Sequence, residues 1–276
     1  MKLCRFRKGE DATVRTGIYR DGSVYETRGL EAVGIHRAED ISLLAPISQP
    51  PSFRDFMAFE GHVRNTRRKF GRDSVPEEWY AAPPFFFENP ASIVGPDAVI
   101  MRPPGVAELD FELEVGVVIG ASGSDIPVED ADDIVLGLTI VNDWSARDVQ
   151  RRESRVGLGY HKSKDFATSV GPYLVTPDEL DPFSRQTDRG RVYALAAKAY
   201  INDELVAEGS LESMNWTFAE MISYASQGTR LSEGDLIASG TITGCCILEM
   251  EREYLNPGDE VLLEVQGLGA LANRIA

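Results

Sequence analysis

The stretch from Leu109 to Gln150 restricts the possible folds of this chain more than any other. In LDFELEVGVVIG (109–120), Leu109, Phe111, Leu113, Val115, Val117 and Ile119 alternate, which predicts a strand with one apolar face. Asp110, Glu112 and Glu114 fall on the other face, which continues as Gly116, Val118 and Gly120. An acidic alternation by itself more often marks a solvated edge. The Gly/Val continuation argues for burial instead. Residues two apart on a strand are about 7 Å apart, so Glu112 and Glu114 can reach one common point. Carboxylates that enter a buried region must be protonated, paired or bound to a cation.

The second segment, IVLGLTIV (134–141), is nearly all apolar, as in a strand covered on both faces. Asp143 follows where it ends. A helical turn after Asp143 would place Asp143, Arg147 and Gln150 on one face. Glu112, Glu114 and Asp143, with no Cys or His among them, suit a hard divalent cation, with Mg²⁺ preferred over Mn²⁺ and Ca²⁺. From Trp144 to Lys164 six cationic residues (Arg147, Arg151, Arg152, Arg155, Lys162 and Lys164) face only Asp148 and Glu153. A cationic island beside a metal motif suggests a small anionic substrate, although Arg151, Arg152 and Arg155 read as solvated helix charges.

The whole chain carries 28 Lys and Arg against 44 Asp and Glu, a net charge of −16. That balance argues against nucleic acid or an anionic membrane as partner. Three cysteines, two of them adjacent, give no disulfide framework. No apolar segment resembles a secretory signal or a membrane span, so the expected setting is the reducing cytoplasm. No GxSxG elbow or phosphate-binding glycine loop occurs.

Many β-like runs and few helices predict an α+β, β-rich mixed roll. Residues 1–50 read as a small β-rich subdomain with a hairpin turn at Asp21-Gly22, and residues 51–276 as the catalytic domain. Residues 52–71 read as one helix, with Asp55 and His62 seven residues apart on a single face, about 20° around and roughly 10.5 Å along its axis. Phe85, Phe86 and Phe87 read as core in preference to a wall over the substrate. The glycines at 157 and 159 would allow a lid. NWTFAEMISYASQG (215–228) reads as an amphipathic helix with a Thr217–Glu220 capping box, and 234–250 as a return to β structure.

Glu-Leu-Glu on a strand followed by NDWSARDVQ (142–150) resembles the fumarylacetoacetate hydrolase family over roughly residues 50–276. The resemblance implies a mixed β-sandwich roll that pairs as a homodimer. It implies Asp55 as a fourth metal ligand beside Glu112, Glu114 and Asp143, and His62 as a general base held by Glu249. It implies Lys164, in KDFATSVGP, as the active-site lysine. Thr241, in SGTITG, would bind substrate together with Arg147 and Gln150. The activity so implied is hydrolysis of a C–C bond in a 1,3-diketo acid. The family also contains decarboxylases and isomerases (tautomerases) of oxo-dicarboxylic acids, which need no attacking water. A non-catalytic protein that kept the fold is a third possibility, which the complete ligand set opposes. The loop FFFENPAS (85–92) departs from the substrate-gripping loop of fumarylacetoacetate hydrolase itself and suits a smaller, acylpyruvate-like substrate.

Overall fold

The structure, a computed structural model, describes residues 1–29, 31–69, 71–72, 74–157 and 159–276. Among these residues the strands form a twelve-stranded sheet, a five-stranded sheet and three two-stranded ribbons. The large sheet runs, edge to edge, through Glu31–Arg37, Ser23–Arg28, Asp11–Arg20, Lys2–Lys8, Thr168–Val175, Val135–Asp143, Leu113–Ile119, Leu236–Ala238, Phe53–Phe56 and Phe85–Phe87. Most pairings are antiparallel, but Leu236–Ala238 runs parallel to Phe53–Phe56. The smaller sheet is built on the hairpin Glu260–Val265 and Gly269–Ile275. The main core includes Phe111, Val115, Ile140 and Trp144 from the large sheet and its continuation, and Leu263 and Leu271 from the small one. The result is the strand-rich mixed roll that the pattern of elements implied.

The helix Phe218–Ser226 forms as its sequence dictates. Thr217 accepts from the Glu220 backbone amide, and the Glu220 carboxylate closes the capping box. Phe218, Met221, Ile222 and Ala225 are buried. The Asp21-Gly22 hairpin also forms, with both residues at positive φ. We propose residue 50 as the boundary of the N-terminal subdomain, supported by its own small cluster of Cys4, Phe6 and Val24. Its first strand continues the large sheet through Lys2↔Val175 and Leu3↔Leu174. Among the described residues, no helix is long and apolar enough to cross a membrane.

Four local expectations need correction. Residues 52–71 are not one helix: Phe53–Phe56 is a strand and Glu60–Lys69 a helix, with Phe70 outside the described residues. Phe53–Phe56 is buried throughout and has strand neighbours on both sides, so pairing overrides local helix pattern. The 109–120 strand is broken after Asp110. Leu109–Asp110 pairs with Ser145–Ala146, whereas Leu113–Ile119 joins the large sheet. Asp143 ends a strand, and the helix begins only at Arg147. Between them the indole of Trp144 is buried and donates to Ser169 Oγ at 2.8 Å, while Ser145 and Ala146 pair with the broken strand. After Leu236–Ala238 the segment to Met250 is mostly loop, with a short 3₁₀ turn at Ile247–Glu249.

Gly240 lets that loop close over the strand that carries Asp55. Its φ is +76°, and a Cβ there would lie 2.2 Å from the Phe56 carbonyl oxygen. Gly240→Ala is expected to cost about 2–5 kcal/mol, from left-handed backbone strain plus overpacking. The measurement is the denaturation midpoint, and a midpoint equal to wild type would refute the close approach.

Candidate active site

Three strands end at one place and deliver carboxylates there. Asp55 comes from Phe53–Phe56, Glu114 from Leu113–Ile119 and Asp143 from the end of Val135–Asp143. All three are buried, and their oxygens lie within 4.8 Å of one another. Asp55 Oδ1, Glu114 Oε2 and Asp143 Oδ1 have no hydrogen-bond partner. Buried, unpartnered carboxylate oxygens facing one another are costly unless a cation sits among them. The residues present therefore fit a hard divalent ion held by oxygen donors.

Glu112 stands beside this trio but is already paired. Its Oε1 accepts from Arg147 Nη2 at 2.7 Å, and its Oε2 accepts from Lys164 Nζ at 2.5 Å. Lys164 also donates to Asp143 Oδ2. Arg147 is held on its other side by Asp110, through an Nε–Oδ2 bond of 2.8 Å, and it donates to Gln150 Oε1 at 3.0 Å. Thr241 is buried with its hydroxyl 3.4 Å from Glu114 Oε1.

The electrostatics follow from this crowding. Burial lifts the Asp55 carboxyl to about 6, against the pull of Lys164. Burial also pushes the nearby Glu88 up to about 8. Glu114 and Asp143 are raised well above the usual carboxylate range, first by burial and then by their acidic neighbours. Glu112 moves the other way: burial would raise it, but Arg147 and Lys164 outweigh burial and hold it low.

His62 is on the helix Glu60–Lys69 and Glu249 is in the 3₁₀ turn. They are 187 residues apart, yet His62 Nδ1 is 2.6 Å from Glu249 Oε1. Glu249 also accepts from Asn65 Nδ2 at 2.6 Å and from the Gly244 amide at 3.1 Å. Burial would raise the Glu249 carboxyl, but these bonds and the imidazole more than offset it and keep the group ionised. An ionised Glu249 favours the tautomer with the proton on Nδ1, which leaves Nε2 basic.

A cavity of about 740 Å³ joins these groups. Asp55, His62, Glu112, Glu114, Arg147, Gln150, Lys164 and Thr241 line it, so eight of the ten residues singled out in the sequence share one wall. Asp143 lies behind Lys164 and Glu249 behind His62. The phenylalanine run splits. Phe85 packs on the core, Phe86 lines the cavity and Phe87 is 58% exposed, because alternation along an edge strand turns Phe86 away from the other two. Arg151 and Arg155 keep solvent exposure but also line the cavity, since the helix from Arg147 repeats that face every four residues. Gly157 and Gly159 have positive φ and Tyr160 lines the cavity, but Leu158 of the same loop lies outside the described residues.

Sequence reasoning missed Glu88, Asn65 and the role of Asp110. Asp110 was visible as the third acidic tooth of its strand. It accepts from the amides of Ile247 and Leu248 at 2.7 and 3.0 Å as well as from Arg147. Asn65 lies three residues after His62, a spacing that places both on one helix face.

An arginine-lined cavity with buried carboxylates at its floor and a His–Glu pair at its side suits the chemistry of a small molecule. The chain belongs to the fumarylacetoacetate hydrolase family: residues 52–276 match the family described as fumarylacetoacetate (FAA) hydrolase C-terminal. The oxaloacetate tautomerase YisK of Bacillus subtilis (strain 168) is 31% identical over 243 residues, which cover 87% of this chain and 75% of that protein. A fumarylacetoacetase of Oryza sativa subsp. japonica is 28% identical over 282 residues, covering 81% of this chain and 65% of its own length. The X-ray structure of a 5-carboxymethyl-2-hydroxymuconate delta-isomerase from Mycobacterium smegmatis aligns with a TM-score of 0.79 at 25% identity, over 100% of this chain and 98% of that one.

The raised carboxyls give a pH test of the cation site. Without metal, folded Asp55 holds a proton up to about pH 6, while the unfolded chain loses it near pH 4. Stability of the metal-free protein therefore falls as pH rises from about 4 to 6. A dication displaces the proton, so added Mg²⁺ or Mn²⁺ is expected to raise the denaturation midpoint more at about pH 7.5 than at about pH 5. An equal rise at both pH values would remove Asp55 from the ligand set.

Proposed function

We propose that this protein is a divalent-metal-dependent enzyme that cleaves a C–C bond in an acylpyruvate-like 1,3-diketo acid by adding water. The hydrogen-bonded His62–Glu249 pair beside the carboxylate trio carries this reading. Asp55, Glu114 and Asp143 would hold the ion, with Glu112 close by. The ion would polarise the substrate carbonyls and offset the negative charge that develops on them.

The chain's own groups account for the remaining chemistry. His62 Nε2 takes a proton from water, and Glu249 stabilises the imidazolium by accepting from Nδ1. The hydroxide adds to the distal carbonyl. The C–C bond then breaks to give a carboxylic acid and the enolate of a smaller 2-oxo acid. Lys164, protonated between Glu112 and Asp143, is placed to return a proton to the leaving carbon. Arg147, Gln150 and Thr241 orient the substrate's 2-oxo acid end.

A second reading is supported by the oxaloacetate tautomerase and the delta-isomerase among the similar proteins. Moving a proton between carbon and oxygen needs the cation and one acid–base group, but no water attack. We take Mg²⁺ as the ion because every donor is oxygen. The homodimer rests on the family resemblance, and the cytoplasmic setting on three buried free thiols.

His62→Ala is expected to lower kcat for C–C cleavage of acylpyruvates by about 10²–10⁴-fold, and a chelator to abolish turnover. Cleavage within a few-fold of wild type in His62→Ala would sink the hydrolytic reading. Oxaloacetate tautomerisation by wild type, with no cleavage of acylpyruvates, would favour the second.

The cavity mouth points to the substrate's far end. Arg147, Arg151 and Arg155 are spaced i, i+4, i+8 on the helix Arg147–Val156, so Arg155 lies about 12 Å further out than Arg147. Arg147 is paired with Asp110 and Glu112, and Arg151 with Glu108 at 2.5 Å. Among the described residues Arg155 makes no ion pair, which leaves its guanidinium for an anionic group on the substrate. Arg155→Ala is expected to raise KM about tenfold for a long oxo-dicarboxylate and to leave KM for a monocarboxylic acylpyruvate unchanged. Equal effects on both substrates would contradict this placement.

A further inference from the structure

Behind His62 a second group of donors converges, different in kind from the carboxylate trio. A ring nitrogen of His62, the thiol of Cys246 and a carboxylate oxygen of Glu249 lie within 4.8 Å of one another. Cys246 Sγ is 3.6 Å from Glu249 Oε1, the same oxygen that His62 Nδ1 approaches at 2.6 Å. The adjacent Cys245 faces elsewhere: a Cβ added to Gly209 would come within 3.0 Å of its sulfur, so it packs on the strand Glu204–Ser210. Cys246 is the cysteine that meets the dyad.

One nitrogen, one thiol sulfur and one carboxylate oxygen form the donor set of a tetrahedral, thiophilic ion with a fourth position open. Bonds of roughly 2.0–2.3 Å hold tetrahedral ligands about 3.3–3.8 Å apart. The Cys246–Glu249 spacing already fits, and the His62–Glu249 spacing has to open by less than about 1 Å. Charge balance favours occupation. Before binding, the three groups carry one negative charge, on Glu249. Uptake of a dication moves the imidazole proton from Nδ1 to Nε2 and releases the thiol proton, which leaves the cluster neutral, the cheaper state when buried.

We propose that His62, Cys246 and Glu249 form a second cation site, selective for thiophilic ions such as Zn²⁺ and Cd²⁺, whose occupation removes His62 from acid–base work. The inhibitory consequence rests on the reading of His62 as base, while the binding itself does not. The two sites sort ions by softness: the trio offers oxygen alone, and this one offers sulfur.

The test uses the full chain loaded with excess Mg²⁺ and titrated with Cd²⁺ or Zn²⁺. Cd²⁺ is expected to bind once per chain with thiolate-to-cadmium charge-transfer absorption in the ultraviolet. Zn²⁺ is expected to inhibit 2-oxo acid turnover in a way that more Mg²⁺ does not relieve. Cys246→Ser and Cys246→Ala, each checked for an intact melting transition, are expected to lose the band. They should also require roughly 100-fold more Zn²⁺ for inhibition, since losing a ligand costs at least as much as losing an outer-shell partner. Asp143→Asn, which damages the oxygen centre, is expected to keep the band. A band that survives in both Cys246 variants, or disappears in Asp143→Asn, would overturn the proposal. If the band behaves as expected but Zn²⁺ leaves turnover untouched, the cation site stands and the assignment of His62 as base falls.

Discussion

The structure depends on how it accommodates buried negative charge. Asp55, Glu88, Asp110, Glu112, Glu114 and Asp143 are all buried around one point, with Arg147 and Lys164 buried among them. Removing an unpaired ion from water costs several kcal/mol even after relaxation. The two cations balance Asp110 and Glu112 and bridge to Asp143. The remaining oxygens point at one another from three different strands. Such a cluster is costly to leave bare, and its oxygen donors suit a dication.

The degree to which this was legible varied with sequence distance. Glu112, Glu114 and Asp143 could be read because strand alternation and a long apolar run are local signals. Asp55 entered only through family resemblance, and its local setting was misread: FRDF has too few residues to distinguish a buried strand from the first turn of a helix. Glu249 and His62 carry no local mark of their contact, since it is made by the loop after Leu236–Ala238 folding back onto a helix near the other end of the domain. Asp110 was visible, but its role required the break after it, which arises because the two halves of that segment pair with different strands. Arg151 and Arg155 were read as solvated because charges on a helix usually face water, and the cavity wall they join is built by distant segments.

The proteins similar to this one carry names for three different reactions, and its own architecture suggests how one scaffold serves them. The floor of the cavity offers carboxylates and two locked cations. The side wall offers an imidazole hydrogen-bonded to a carboxylate. The mouth offers guanidinium groups at helical spacing. Each of these sits on a separate element, so reaction type and substrate length can vary without rebuilding the floor.

Asp110 limits that independence. Its Oδ2 accepts from Arg147 Nε and the Leu248 amide, and its Oδ1 from the Ile247 amide. It works as a linchpin between the carboxylate cluster and the turn that carries Glu249. Lengthening or shortening the Gly244–Glu249 loop would pull that pin and loosen both at once. Divergence within such a scaffold is therefore channelled into exchanging the side chains that project from a loop of fixed length.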